Sequence, residues 1–415
     1  MKSCRLTALT LLASSSVLVA DTKPAANAVN DLGVDLYRKL TGGDANLCLS
    51  PYSIQLALAM AFAGADGQTR AEMAKTLHYP ADDATIHDAF AELKRALDSA
   101  VAKSVERSKQ LNCDPLTFDV ANRLFGQNGE AFLSSFLELT KNLYGAPLEQ
   151  VDFRRNPDQA IAIINGWVEE QTRKRIVNLI PPKALDTSTR LVLVNAIYMK
   201  APWTEPFQAG GTKPEPFHVR GAGAGTDLPT MSRRAKFGYS KEDGFTAVTI
   251  PYSTGDLQFL VIVPDEINGL RTVEAKLTGD LLAASVNSAQ REVILHLPKF
   301  KLEPPTVALG RVLKQLGMRS AFDDPPGSAN FDRMAPRRAN DYLAISDVFH
   351  KTFISVDEKG TEAAAATAVG MRAMAAIVRP EQPIEVKIDR PFLFAIQHRP
   401  SGACIFIGRV TDPRD

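Results

Sequence analysis

The residue types that carry most enzyme chemistry are few in this chain and widely separated. Its six histidines stand at positions 78, 87, 218, 296, 350 and 398, and none has a nucleophile or metal ligand at a motif spacing beside it. The sequence contains no G-x-S-x-G, H-E-x-x-H, C-x-x-C or Walker pattern. A catalytic triad can assemble from distant residues, so a secreted hydrolase stays as a minor alternative. The sequence favours a protein without catalytic residues of its own, without a cofactor and without a metal.

A glycine-rich run, GAGAG from Gly221 to Gly225, is the one segment that suggests a phosphate-binding loop. It lacks the third glycine of the dinucleotide fingerprint, and no apolar strand leads directly into it. We interpret the whole segment from Gly210 to Gly225 as a surface loop.

The charges are balanced, with 48 basic and 47 acidic residues and a formal net charge of +1. This balance gives no electrostatic reason to expect a nucleic acid or an anionic membrane as a partner. Five basic residues between Lys94 and Lys109 are loosely spread, as on a solvated helix face; the others are Arg95, Lys103 and Arg107. Whether a glycosaminoglycan activates the protein is left open.

The N-terminus has the pattern of an export signal. Lys2 and Arg5 precede an apolar stretch, Leu6 to Ala20, which is too short to span a bilayer. Cleavage after Ala20, or after Ala28 as an alternative, would release a secreted or periplasmic protein; a buried first helix is the competing interpretation. Cys4 would leave with the signal, and an odd number of cysteines would remain: Cys48, Cys113 and Cys404. Pairing of Cys48 with Cys404 is left open.

Helical patterns dominate the first third of the chain and strand patterns the rest. We predict helices over Ile54–Ala61, Thr69–Leu77, Ile86–Leu97 and Pro157–Arg175, with Ser53 as a cap of the first. Five apolar runs of strand length follow, at 191–198, 257–263, 293–297, 392–397 and 404–410. No repeat and no Pro/Ser linker divides the chain. The pattern predicts one α+β domain over residues 29–415, after the signal.

The stretch VDEKGTEAAAATAVGMRAMAAIV, residues 356–378, combines small side chains with few charges. Its alanines favour a helix, and an exposed helical linker is the simplest interpretation. However, both flanks resemble strands, and at a period of two the odd positions from Thr361 to Ala373 carry no charge. Glu362 and Arg372 both lie on the even face, and no proline interrupts the segment before Pro380. We therefore predict a loop that can become a central strand.

The period-two pattern of residues 356–378 lies in a segment that resembles part of a known family. VFHKTFISVDEKGTEAAAATAV resembles the hinge region of the serpins, the serine protease inhibitor family. Four other segments resemble serpin segments in the same order: NLCLSPYSIQLALAMAFAGADGQTRAEM, LVLVNAIYMKAPWTEPF, LPKF and DRPFLFAIQHRPSGACIFIGRV. The match covers nearly the whole chain after the signal.

The resemblance implies a fold of three β-sheets with about nine helices and an exposed reactive-centre loop, here residues 358–380. It implies a suicide-substrate mechanism, in which a target serine protease attacks the loop and is trapped as a covalent acyl complex when the loop inserts into a sheet. The native state would be metastable and monomeric, but prone to loop-sheet polymers.

The resemblance also assigns roles to individual positions. The hinge would comprise Glu358, Gly360, Thr361, Glu362 and the four alanines Ala363, Ala364, Ala365 and Ala366. Glu358 would pair with Lys299 near Trp203, at the point where the sheet first opens (the breach). A polar cluster under the centre of the sheet (the shutter) would contain Ser50, Ser53, Asn195 and His350.

Counted at the family's usual spacing from Glu358, the reactive bond is Met374-Ala375. Methionine at this position suits elastase-, chymotrypsin- or subtilisin-like proteases. The segment that follows is longer than expected, so Arg372 or Arg379 stays as an alternative that would suit trypsin-like proteases; a cysteine protease is a further alternative target. A non-inhibitory serpin, acting as a binding protein or chaperone, is the alternative from a different functional class.

Overall fold

A computed structural model describes residues 21–80, 85–111, 114–219, 223, 225–338, 341–362 and 382–414. The expected signal peptide, Cys113, the hinge alanines Ala363–Ala366 and the three candidate cleavage positions lie outside these residues. No helix in the described part of the chain is long and apolar enough to cross a membrane.

Nine α-helices occur in the described residues, most of them in the first half of the chain. They are α1 (Lys23–Leu40), α2 (Pro51–Gly64), α3 (Gly67–Thr76), α4 (Ile86–Leu111), α5 (Ser134–Tyr144), α6 (Pro157–Gln171), α7 (Leu270–Lys276), α8 (Gly279–Ala284) and α9 (Gly310–Leu316). Short 3-10 turns occupy Ala209–Gly211, Ser285–Asn287 and Ser320–Phe322.

The described strands form two sheets of seven and nine strands. The strands are β1 (Leu47–Leu49), β2 (Thr117–Gln127), β3 (Glu149–Val151), β4 (Leu191–Pro202), β5 (Lys213–Phe217), β6 (Thr226–Glu242), β7 (Phe245–Pro251), β8 (Leu257–Pro264), β9 (Gln290–Pro298), β10 (Phe300–Leu302), β11 (Val307–Ala308), β12 (Ile345–Asp357), β13 (Gly360–Thr361), β14 (Ile384–Lys387), β15 (Phe392–His398) and β16 (Ala403–Val410).

Helix α2 is the central helix of the core. All but one of its residues are buried, so the helix is apolar on every side, as its run of alanines, leucines and Phe62 predicts. Its N-cap is Ser50, whose Oγ accepts a hydrogen bond from the Ser53 backbone N–H, and Pro51 occupies the first turn. The prediction that Ser53 caps this helix was therefore wrong by one turn, because Pro51 and Tyr52 already belong to the helix.

The seven-stranded sheet follows the order β10-β12-β13-β4-β2-β3, with β11 added beside β12. Both of its faces are covered, since the inner face packs on α2 and the outer face on Ile161, Ile164 and Val168 of α6. This double coverage explains why β4 is a continuous apolar run rather than an alternating one.

The nine-stranded sheet contains two of the three expected sheets, joined through the 17-residue strand β6. The first part of β6 pairs with β5 and β9, and its last part pairs with β7. Strand β14, which follows the reactive-loop segment, forms the edge of this sheet beside β9.

The largest differences between the predicted and the observed elements concern α4, α6 and the predicted loop 210–225. Helix α4 continues past Leu97 to Leu111, because Ala100, Ser104 and Ser108 extend its buried face. Helix α6 ends at Gln171 rather than Arg175, since Arg173 and Lys174 both adopt positive φ angles. The predicted loop 210–225 contains β5.

Cys48 on β1 and Cys404 on β16 are both buried and unpaired, so the pairing left open by the sequence does not form in this structure. Burial raises the pKa of the Cys48 thiol to about 12, and it raises that of Cys404 as well. Both side chains are therefore neutral core residues.

Candidate functional site

The hinge already lies partly inside the seven-stranded sheet. Strands β4 and β12 pair with each other in parallel from Leu191 and Ile345 up to Tyr198 and Phe353. Above that point β13 lies between them and is antiparallel to both: Thr361 pairs with Val356 on one side and with Ala201 on the other. The sheet is thus closed at its base and opened by two hinge residues at its top.

Gly360 is at a position that no larger residue fits. Its φ is 154°, and a Cβ there would lie 2.1 Å from the carbonyl oxygen of Ala201. The preceding turn is fixed by Asp357, whose Oδ1 accepts hydrogen bonds from the N–H groups of Lys359 (2.8 Å) and Gly360 (3.2 Å). The hinge therefore enters the sheet through a defined turn.

Thr361 is fully buried, and its hydroxyl lies 2.6 Å from that of Tyr252. The Tyr252 ring stacks on Trp203, with centroids 4.7 Å apart and an angle of 11° between the planes. The first odd-numbered position of the tract thus faces the core, as the period-two pattern predicts.

Glu358 ties the start of the hinge to the nine-stranded sheet. Its carboxylate lies 2.8 Å from Lys299 Nζ and accepts a hydrogen bond from the Thr212 hydroxyl at 2.7 Å. Burial opposes ionisation, but these two contacts outweigh it, so the pKa of Glu358 is below its ordinary value. Trp203 completes this site with two hydrogen bonds. Its indole N–H donates to the carbonyl of Asp357, and its backbone N–H donates to the carbonyl of Lys359.

Glu362 marks the point where the hinge leaves the sheet. Its backbone N–H donates to the Ser355 carbonyl at 2.7 Å, but its φ of 41° turns the chain out of the strand. Its carboxylate forms an ion pair with Arg175, in the segment that follows α6. Burial raises the pKa of Glu362 despite this partner, and Oε2 has no hydrogen-bond partner within the described residues.

A buried polar cluster joins three strands and α2 below the hinge. Asn122, Asn195 and His350 occupy matching register positions on β2, β4 and β12. Asn195 Nδ2 donates to Ser53 Oγ and to Asn122 Oδ1, both at 2.6 Å, and Ser53 Oγ donates to Asn122 Oδ1 at 2.9 Å. The remaining member, Ser50, donates its backbone N–H to His350 Nε2 (3.1 Å) and its hydroxyl to the Ile405 carbonyl (2.7 Å).

These contacts fix the tautomer of His350. Because Nε2 accepts from the Ser50 N–H, the ring proton must be on Nδ1, where it donates to Asn195 Oδ1. Complete burial lowers the pKa of His350 to about 3. The ring is thus neutral, and it directly bridges the two strands that separate above it.

The structure places the four predicted shutter residues in one cluster and the predicted breach residues at one end of the sheet. Sequence reasoning missed four residues that complete them: Asn122, Tyr252, Thr212 and Arg175. Only Asn122 had a usable signal, because at a period of two it lies between the apolar residues Val120 and Leu124. No group of side chains in the described chain has the composition of a metal site.

The pKa of His350 predicts a pH dependence of stability. An unfolded histidine titrates near its ordinary pKa of about 6.5, whereas the folded side chain stays neutral down to about 3. The resulting stability is complete above about pH 6.5 and is lost as the pH falls from there, at up to about 1.4 kcal/mol per pH unit. Urea unfolding of wild type and His350→Gln between pH 7 and pH 4.5 should give a shallower pH slope for the variant. The surface variant His78→Gln serves as control; equal slopes for all three proteins would contradict this prediction.

The ion pair of Arg175 with Glu362 predicts that Arg175→Ala loosens the seated hinge, because the half-buried carboxylate loses its cation. Amide hydrogen exchange at Thr361 and Glu362 should accelerate by up to about fivefold, the scale of a partly exposed ion pair. Arg173→Ala is the matched control, since Arg173 lies in the same segment but pairs with Asp119. Equal acceleration in both variants would contradict the prediction, because it would show that the effect comes from the segment after α6 and not from the ion pair.

Comparison with known proteins gives a consistent result. The family model described as Serpin (serine protease inhibitor) matches residues 27–413. An uncharacterized serpin-like protein of Thermococcus kodakarensis is 39% identical over 401 residues, covering 95% of this chain and 87% of the relative. The leukocyte elastase inhibitor of Bos taurus is 38% identical over 390 residues, covering 92% of this chain and 97% of the relative.

Solved structures agree with the sequence comparison. Serpin48 of the insect Tenebrio molitor, described as a highly specific serpin, superposes with a TM-score of 0.75 at 31% identity, covering 93% of this chain and 97% of the other. Uncleaved ovalbumin gives a TM-score of 0.77 at 27% identity, with coverages of 94% and 99%. The chain, with its half-seated hinge and its polar cluster beneath the parting strands, belongs to the serpin family of serine protease inhibitors.

Proposed function

We propose that this serpin is a suicide-substrate inhibitor that traps a serine protease covalently and inserts its own loop into the seven-stranded sheet. The observation that carries the proposal is the position of β13. Gly360 and Thr361 already pair with β4 and β12 in the orientation that a longer inserted strand would need. The residues that would follow, Ala363 to Ala368, are all small, so their insertion meets little steric resistance.

The chemistry of the trap comes from the protease. The protease serine oxygen would attack the carbonyl carbon of Met374, and the bond to the Ala375 nitrogen would break. The serine proton would pass to the departing amine through the histidine of the protease, leaving Met374 as an ester on the enzyme. The serpin contributes the peptide bond and the conformational change, and it has no catalytic residue in this scheme.

The target is proposed to be elastase-, chymotrypsin- or subtilisin-like, since Met374 suits an apolar primary pocket. The leukocyte elastase inhibitors among the relatives support this choice. Arg372 and Arg379 remain the alternatives, which would direct the protein to trypsin-like proteases.

Export by the N-terminal signal is part of the proposal, to the cell exterior or the periplasm. The described helix α1 starts at Lys23 and buries Ala25, Ala26 and Ala28 in the core. Cleavage after Ala28 would remove these residues, so cleavage after Ala20 is the better match.

To test the proposed inhibition, the purified protein is mixed separately with pancreatic elastase, chymotrypsin, subtilisin and trypsin. We expect an SDS-resistant complex of serpin and protease with at least one of the first three, and mass spectrometry of the released C-terminal peptide should begin at Ala375. Cleavage by every protease without any complex would contradict inhibition. A peptide beginning after Arg372 or Arg379 would move the reactive bond but keep the mechanism.

Substitution of Thr361 tests the inserting face. Thr361→Arg would place an unpaired charge against Tyr252, which costs several kcal/mol, so the hinge should leave the sheet in the intact protein. Insertion would then have to bury this charge, so it should slow and the protein should be cleaved as a substrate. We expect the yield of SDS-resistant complex to fall at least about tenfold by the same principle. Thr361→Ser keeps the hydroxyl and is the matched control. Undiminished complex formation by Thr361→Arg would show that the face or register is wrong.

The alternative, a binding protein or chaperone that is cleaved without insertion, differs in the stability of its cleaved form. A cleaved inhibitor should unfold at a much higher temperature than the intact protein, because insertion adds a strand to the sheet; a cleaved non-inserting protein should not. Intermolecular insertion, which would give loop-sheet polymers on mild heating, is proposed on the same basis.

A further inference from the structure

The register of β13 defines where each further residue of the loop would pair if this strand grew longer. Thr361 pairs with Ala201 in the antiparallel direction, so each step forward along the loop is one step back along β4. In the intact protein, β4 pairs directly with β12 from Leu191 to Tyr198. At the register of β13, that stretch of β4 would instead pair with residues 364–371.

The loop residues that would face outward along this stretch are all small. Paired residues of antiparallel strands point to the same face, and the outward-facing residues of β4 belong to the apolar cluster formed with α6. The loop residues opposite them would be the even-numbered ones, Ala364, Ala366, Ala368 and Gly370. The loop thus carries small side chains wherever α6 covers the sheet.

The next even position, Arg372, departs from this pattern. At the same register it would lie directly opposite Arg190, the residue before β4. The Gln127 N–H donates to the Arg190 carbonyl at 2.9 Å, so the pairing of β4 with β2 extends to this residue. Like charges directly opposite each other in a sheet are destabilising. The end of an inserted strand therefore requires an anion at this point.

Asp341, in the segment before β12, supplies an anion at this point. Its Oδ1 accepts a hydrogen bond from Arg190 Nε at 3.2 Å, and both of its carboxylate oxygens accept from Arg154 Nη2. Arg154, in the turn before α6, also pairs with Glu130 at 3.2 Å. The hydrogen bond from Arg154, followed by that from Arg190, holds the pKa of Asp341 below its ordinary value. Asp341 is therefore ionised at neutral pH.

Both arginines that contact Asp341 have other acceptors. Arg190 Nη1 donates to two backbone carbonyls of the preceding segment, each at 3.0 Å, and Arg154 has Glu130. A third guanidinium at Asp341 would therefore leave neither arginine without a partner. The Asp341 side chain is 24% exposed, so a new partner can reach it.

We propose that Asp341 is the receptor for Arg372 in the inserted state, and that this ion pair fixes the end of the inserted strand at the base of the seven-stranded sheet. The inference rests on the insertion proposed above. Asp341 is a positioning residue, since it acts on the strand and not on the reactive bond. Arg372 becomes part of the inserted strand, two residues before Met374. This role supports cleavage at Met374-Ala375 over cleavage at Arg372.

The experiment measures amide hydrogen exchange in the loop-cleaved protein. A metalloprotease forms no acyl ester, so it gives cleaved protein without a trapped complex; mass spectrometry selects the product cut between residues 372 and 379. In wild type, we expect residues 364–372 to become protected on cleavage. Asp341→Asn and Arg372→Gln should each lower the protection factors of residues 370–372 by about two- to fivefold, the scale of a partly exposed ion pair.

The double variant distinguishes an ion pair from two independent effects. Combining Asp341→Asn with Arg372→Gln should lower protection no further than the more damaging single substitution, because the second change removes nothing once its partner is gone. Asp119→Asn is the matched control for the acid, since Asp119 also pairs with an arginine but lies at the other end of β2. Arg379→Gln is the control for the loop arginine. Neither control should change exchange at residues 370–372.

Each result decides between the ion pair and the insertion on which it depends. Additive effects of Asp341→Asn and Arg372→Gln, or unchanged exchange in Arg372→Gln, overturn the ion pair and leave the proposed insertion intact. If Asp341→Asn does not fold, Arg372→Gln compared with Arg379→Gln still decides. No protection of residues 364–372 in cleaved wild type overturns the insertion itself, and with it this inference.

Discussion

The structure depends on one contact between two strands: the hydrogen bond from neutral His350 on β12 to Asn195 on β4. This hydrogen bond is fully buried. It lies in the part of the sheet where β4 and β12 pair directly, below the point where β13 separates them. A buried network of this kind is stable only when every member is satisfied. Ser50, Ser53 and Asn122 complete it from α2 and β2, so the strands cannot separate by small steps without leaving buried polar atoms unpaired. The cluster therefore favours two discrete arrangements, closed or fully parted, over a continuous range.

Much of the fold could be predicted from the sequence, because its signals are local. The apolar runs that became β4, β8, β9, β15 and β16 have strand length and lie in the predicted places. The family resemblance placed Glu358 with Lys299 and gathered the four shutter residues, and the structure brings both sets together. Boundaries were less predictable. Helix α6 stops at Gln171 because two non-glycine residues take left-handed backbone angles, which side-chain composition does not reveal.

Tertiary contacts at the hinge could not be predicted in the same way. Arg175 meets Glu362 only because the segment after α6 packs on the outer face of the sheet, and Tyr252 reaches Thr361 from the end of β7 in the other sheet. Nothing in the local sequence distinguishes Arg175 from Arg173, two residues earlier, which pairs with Asp119. The alternation of small and charged residues predicts that Thr361 faces the core, as observed. It does not predict that Gly360 and Thr361 already lie between β4 and β12.

The direction of β13 has a thermodynamic consequence. In the closed part of the sheet the two central strands, β4 and β12, run in parallel, whereas β13 is antiparallel to each of them. Every residue by which β13 lengthens would replace one slanted parallel ladder with two antiparallel ladders, whose hydrogen bonds are better aligned and more stable per residue. If the loop inserts as proposed, this gain in hydrogen bonding would favour the lengthening of β13 beyond the two residues that are seated in the intact protein.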